Sequence, residues 1–212
     1  MSYITERRQE ERDRRRAEIV DAAEALYAEI GWEAVTMDQV ARRARLSRAL
    51  LYVYFRDKGD LHFALAERSL EELRRRFVAA RVGRALGIDE VEAIGRAYLA
   101  FSREMPHHFD AVSRIEAHQM EAGDTPSNEG ACMKAGERVQ GVIVESLNRG
   151  IADGSIRADI DNPTVTALTL WAFTHGMIQI AATKGPHIEH GGASLQAFIE
   201  HSFALALRTL RP

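Results

Sequence analysis

Thr36–Lys58, TMDQVARRARLSRALLYVYFRDK, reads as two short helices joined by a tight turn, with charge almost entirely of one sign. Between Gln39 and Lys58 stand Arg42, Arg43, Arg45, Arg48, Arg56 and Lys58, against Asp57 alone. Thr36 followed by Gln39 has the spacing of a capping box, in which hydroxyl and amide each satisfy the other residue's orphan backbone donor. Val40, Ala44 and Leu46 then face inward. Ser47 is a second N-cap, opening a helix with Leu51 and Phe55 on one face and Arg48, Tyr52 and Tyr54 elsewhere. A helix pair with a buried seam and a basic outer face is the form in which a helix-turn-helix reads DNA. A solvated basic hairpin in some other all-helical protein is the alternative that these residues alone leave open.

The flanking sequence adds detail. A first helix over about Arg14 to Ile30 carries Ile19, Ala22, Ala23, Leu26, Tyr27 and Ile30 at helical spacing. Gly31 stands where a C′ glycine adopts the left-handed conformation, and Trp32 follows as a packing residue. Asp57 can cap a fourth helix through Leu61, Leu65, Leu70, Leu73 and Phe77. The stretch Ile19 to Leu61 resembles the DNA-binding domain of the TetR family of bacterial transcriptional regulators. Ser47, Leu51, Tyr52, Phe55, Lys58 and Leu61 fall in register with the family's S-x-x-x-L-Y-x-x-F-x-x-K-x-x-L pattern. The resemblance covers about the first third of the chain, and the remainder fits in outline. Two positions depart from it. Arg45 occupies a turn position where glycine is usual, and a non-glycine at positive φ there costs on the order of 1 kcal/mol. Leu50 stands where a small or hydroxyl residue is commoner.

The resemblance implies an all-α chain with a helix-turn-helix domain over 13–73 (motif 36–55) and an effector-binding and dimerisation domain over 74–212. The residues expected at DNA are Thr36, Arg43, Arg45, Ser47, Arg48, Ala49, Leu50, Tyr52, Tyr54 and Lys58. Among them Arg48 suits a base or phosphate in the major groove, and Thr36, Tyr52 and Lys58 suit phosphate oxygens. The arginines of the amino-terminal arm, Arg7 to Arg16, read equally as groove contacts or as a solvated helix extension.

Composition limits the other classes. The net charge of −3 makes the basic cluster local rather than general. A single cysteine, Cys132, excludes an internal disulfide framework and a cysteine-rich zinc site. The Glu/Arg-rich amino terminus lacks a secretory pattern. Apolar runs are interrupted, near Trp171 by Thr174, His175 and Gln179, so a cytoplasmic rather than a membrane protein is expected.

Beyond the fourth helix the chain continues helical, about nine helices in all. Breaks fall at Gly83 to Gly87, Pro106, the stretch GDTPSNEG, the turn DGSIRADIDNP and the stretch GPHIEHGG. The segments 164–184 and 193–210 combine small residues with Phe198, Ile199, Phe203, Leu205 and Leu210, more apolar surface than one core face requires. Either they are buried terminal helices or, as the resemblance implies, they pair two copies so that two heads meet a palindromic operator, with Phe203 in the seam.

The histidines His107, His108, His118, His175, His187, His190 and His201 show no close metal-ligand spacing, and no catalytic grouping or phosphate loop is readable. Neither an enzyme, a metal nor a cofactor is expected. Tyr98, Phe101, Met105, Phe109, Ile115, Met120, Met133, Trp171, His175 and Ile178 can line an apolar cavity with a few polar handles, or form ordinary core. The resemblance supplies the idea of a small apolar or amphipathic effector. The expectation is therefore a homodimeric repressor that such an effector releases from double-stranded DNA. Its rival is a helical ligand-binding or catalytic protein whose basic helix pair is incidental.

Overall fold

The computed structural model describes residues 3–116 and 127–212, so His118 and Met120 lie outside the described residues. Among the described residues there are nine α-helices and no strand. They are α1 (Tyr3–Ile30), α2 (Met37–Arg43), α3 (Arg48–Tyr54), α4 (Lys58–Arg81), α5 (Gly87–Glu104), α6 (Pro106–Glu116), α7 (Asn128–Asp153), α8 (Pro163–His190) and α9 (Leu195–Leu210). The chain forms two compact units, Met1–Leu70 with Pro106–Lys134, and Glu71–Met105 with Ala135–Pro212.

In the first unit, Ile19, Val20, Ala23, Leu26 and Tyr27 of α1 share one core with Val40, Ala41, Leu51, Phe55, Leu61 and Leu65. Gly31, at φ 74°, ends α1, and a single 3₁₀ turn at Trp32–Ala34 leads on. The unit also takes in α6, which the sequence places with the carboxy-terminal part. Ala111 of α6 joins the head's core, the Tyr27 hydroxyl donates to Asp110 at 2.5 Å, and Arg114 pairs with Glu33. Pro106 lets one helix stop and another start immediately, because a proline at a first helical position has no donor to lose.

In the second unit, α5 begins hard against the end of α7. A Cβ on Gly87 would stand 2.1 Å from the Gly150 nitrogen, so only glycine permits the approach. The first amides of α5 are capped from outside: Gly87 N–H donates to Asp153 Oδ2 at 2.7 Å and Ile88 N–H to Ser155 Oγ at 3.2 Å.

Helix α8 runs further than the sequence pattern implies. Gly185 and Pro186 lie inside it, and His187 and His190 are therefore exposed helical residues rather than loop residues. A proline collides with the Cβ of the residue before it, and Gly185 has none, so the helix continues at the loss of one hydrogen bond.

Trp171, His175 and Ile178 of α8 and Ile199, Phe203 and Leu210 of α9 turn inward. Phe203, expected at a seam between copies, is only 6% exposed and lies against Gly95 of α5. The apolar residues left outward are Val165 (57%), Leu168 (51%), Phe173 and Ile180 on α8, and Leu205 on α9. By length and apolar composition α8 alone among the described helices would suit a membrane span. It packs along one side against α5 and α9.

Candidate nucleic-acid interface

Both short helices are nucleated as the sequence requires. Thr36 N–H donates to Gln39 Oε1 at 2.7 Å and Gln39 N–H to Thr36 Oγ1 at 3.3 Å, completing the capping box. Ser47 Oγ accepts from Leu50 N–H at 3.2 Å.

Between them α2 closes in a Schellman turn, with Leu46 N–H on Ala41 O at 2.9 Å and Arg45 N–H on Arg42 O at 3.1 Å. Arg45 takes the left-handed place of that motif at φ 55°, the one non-glycine residue at positive φ among the described residues. Leu46 packs on the core below. The turn thus pins α3 to α2 while Leu51 and Phe55 hold its underside, both fully buried.

What remains outside is a recognition surface. Arg48, Ala49, Leu50 and Tyr52 are exposed at the start and middle of α3, and Arg43 and Arg45 stand exposed beside the turn. Arg48 Nε lies 3.2 Å from Asp38, and its guanidinium packs 5.6 Å from the Tyr52 ring centroid. The hydrogen bond to the Tyr52 hydroxyl and the Asp38 charge raise the Arg48 pKa. Arg43 Nη1 donates to Glu29 Oε2 at 2.9 Å, an ion pair that competes with any phosphate.

Lys58, read from sequence as a phosphate clamp, donates to Glu33 O at 3.1 Å and sits 5.0 Å from the Trp32 ring centroid. Tyr54 packs against the head's core rather than standing free. Two further exposed residues stand beside those expected at DNA, Val53, which the sequence reading did not single out, and Arg56, which it counted only in the basic cluster. Val53 is 67% exposed, although apolar, and Arg56 is also exposed. An exposed valine on a recognition helix suits a thymine methyl group, and only its place opposite Leu51 could have disclosed it.

The second unit holds a separate apolar cavity. Tyr98 and Trp171 stack at 4.7 Å in its wall, with Phe77, Ile94, Phe203 and Leu207 around them. Its volume is about 40 Å³. Beside it a groove shares Glu92, Phe203 and Leu207 and carries Arg96, Arg208 and Arg211. Tyr98 Oη and His175 Nδ1 are hydrogen-bonded at 2.7 Å, and burial lowers the His175 pKa. Of the residues expected around an effector, Tyr98 and Trp171 line the cavity. Phe101, His175 and Ile178 are buried but not in its wall, and Met105 is half-buried beside Arg76. Phe109 and Met133 belong to the first compact unit and do not line it. Cys132 is buried, which pushes its thiol up to about 12, so it is unreactive packing.

The capped helix pair, its left-handed hinge and its exposed basic face define a helix-turn-helix DNA-binding protein. Residues 19–65 match the family of bacterial regulatory proteins named for TetR, and residues 91–209 match the tetracycline repressor-like carboxy-terminal domain. The chain belongs to the TetR family, whose members are transcription regulators rather than enzymes.

Among its relatives, the HTH-type transcriptional activator FasR of Mycolicibacterium smegmatis is 36% identical over 62 residues, 29% of this chain and 28% of FasR. The repressor KstR2 of the same species is 26% identical over 152 residues, 69% of this chain and 70% of KstR2. The structure of FadR from Bacillus subtilis in complex with stearoyl-CoA superposes with a TM-score of 0.67 at 15% identity, over 92% of this chain and 99% of FadR. The chain covers about a quarter to two-fifths of the length of most curated relatives it matches.

Proposed function

We propose that the protein is a cytoplasmic, homodimeric repressor with a DNA-reading head over 13–73 and an effector-binding and dimerisation domain over 74–212. The observation that carries the DNA reading is α3: a short helix pinned from below by Leu51 and Phe55, with Arg48, Ala49, Leu50, Tyr52 and Val53 presented outward. Its amino-terminal residues meet base edges, while Thr36, Arg43, Arg45, Ser47 and Lys58 hold phosphates. Lys58 and Arg43 exchange their internal partners for phosphate oxygens on binding.

Dimerisation through α8 and α9 is supported by the outward apolar row Val165, Leu168, Phe173 and Ile180. Val165, Phe173 and Ile180 lie on the face of α8 opposite Trp171 and Ile178, with Leu168 at its edge. A second copy of the same helix covers that row isologously and sets two heads at a two-fold axis.

The effector reading rests on the cavity at Tyr98 and Trp171. Ligand sites commonly offer about 300–1,000 Å³, so a site of about 40 Å³ is the closed form. An amphipathic effector opens it by displacing Phe203 and Leu207, with its apolar body inside and an anionic end against Arg208 and Arg211. The acyl-CoA seen with FadR is a molecule of that general kind. Effector and DNA then oppose each other reciprocally.

Salt-dependent retention on duplex DNA tests the function. A regulator loses retention steeply between low and moderate salt, whereas a helical protein with an incidental basic pair is not retained at all.

A further inference from the structure

Away from α3 and from the cavity, the first unit brings together Glu24 of α1 and His107 and His108 of α6, with one ligand-capable atom from each within 4.8 Å of the others. Residues 24 and 107 are far apart in sequence, which is why no motif spacing announces the group. His108 Nε2 lies 3.0 Å and His107 Nε2 3.8 Å from the same oxygen, Glu24 Oε1. Four ligands around a metal at bonds of 2.0–2.1 Å stand about 3.3 Å from one another. The two separations from Glu24 Oε1 straddle that edge length, and the two imidazole donors lie within 4.8 Å of each other.

The surroundings orient the donors. Arg68 Nη1 donates to Glu24 Oε2 at 2.7 Å, which turns Oε1 toward the histidines. Ser69 Oγ donates to Leu65 O at 2.8 Å and lies 2.8 Å from His108 Nδ1, which holds the ring from its far side so that Nε2 faces Glu24 Oε1. A hydrogen bond fixing the far nitrogen is also the usual support of a metal-bound histidine. An open cleft lined by Asp21, Glu24, Arg68 and His107 gives solvent access for a fourth, water ligand.

We propose that Glu24, His107 and His108 form a binding site for a divalent transition-metal ion of the zinc class, tying α6 to α1 inside the first compact unit. Two imidazoles and one carboxylate suit zinc, nickel or cobalt, whereas calcium and magnesium require oxygen-rich sets. The site goes beyond the DNA and effector readings and stands whether or not either holds.

The test uses tag-free full-length protein, stripped with chelator and titrated with Co(II), read by visible d–d absorption and by competition with Zn(II). One equivalent per chain is expected, with a rise in thermal midpoint. His107→Ala and Glu24→Gln should each weaken Co(II) binding at least tenfold while keeping helicity by circular dichroism. Ser69→Ala should weaken it roughly tenfold to a hundredfold through loss of orientation. His187→Ala, on the exposed end of α8, should change nothing. Absence of stoichiometric uptake overturns the site. So does uptake that survives both His107→Ala and Glu24→Gln, since the metal then sits elsewhere.

Discussion

Replacing Arg45 by glycine separates the two demands that meet at the turn of the helix-turn-helix. Arg45 is held at φ 55° by the hydrogen bonds that close α2. A residue with a Cβ loses about 1–2 kcal/mol in that conformation. Glycine escapes the clash but gives up about 0.5–1 kcal/mol of additional chain entropy on folding. The difference favours Arg45→Gly by about 0.5–1 kcal/mol, which for a chain of this length raises the thermal midpoint by about 1–4 °C. DNA binding moves the other way. The exposed guanidinium is lost, so the slope of log affinity against log salt falls by about one unit if it meets a phosphate. Arg45→Ala is the control, because it removes the same charge and keeps the Cβ. It should show the same loss of DNA affinity without the thermal gain. Differential scanning calorimetry and a salt series of fluorescence-anisotropy titrations read both. A lower midpoint in Arg45→Gly would refute the strain argument, and unchanged affinity in both variants would remove Arg45 from the interface.

Other substitutions probe the remaining assignments. Arg48→Ala should weaken operator binding roughly tenfold to a hundredfold and relax preference at one base pair, checked by gel-shift titration on operators varied one position at a time. Lys58→Ala should weaken binding to every sequence about equally and lower the salt slope by about one unit. It should also lower the thermal midpoint slightly, since the Glu33 and Trp32 contacts go with it. Leu168→Glu, on the outward row of α8, should give a folded monomer in sedimentation velocity. Phe203→Glu should instead lose helicity and melt early, because it puts an unpaired charge among buried residues of its own subunit. A dimeric Leu168→Glu variant would move the interface off α8.

The reading head was legible in the sequence because its determinants are local. The Thr36–Gln39 box, the Ser47 cap, the inward Leu51 and Phe55 and the strained Arg45 each act within a few residues, and each stands in the structure as its spacing implied. What the sequence hid depends on long-range packing. Phe203 carries an apolar side chain whichever way α9 faces, and only the fit against Gly95 turns it inward. Periodicity showed that α9 had apolar residues on two stripes but not which stripe its own subunit would cover. Lys58 likewise looked like a free cation until Trp32 and the Glu33 carbonyl came beside it. Pro186 marked a helix end by rule, and the glycine before it removed the clash with a preceding Cβ. The Glu24, His107 and His108 group lies on two helices separated by most of the reading head, beyond the reach of any spacing pattern.

Selection of binding sites from a random duplex library tests the regulator reading most directly. The enriched sequence should be a palindrome whose half-sites are centred about 34–36 Å apart along the duplex, or a multiple of that distance, as two symmetry-related recognition helices require. No enrichment over the starting library, or enrichment of a single unsymmetrical half-site, would contradict a dimeric, sequence-specific DNA-binding regulator.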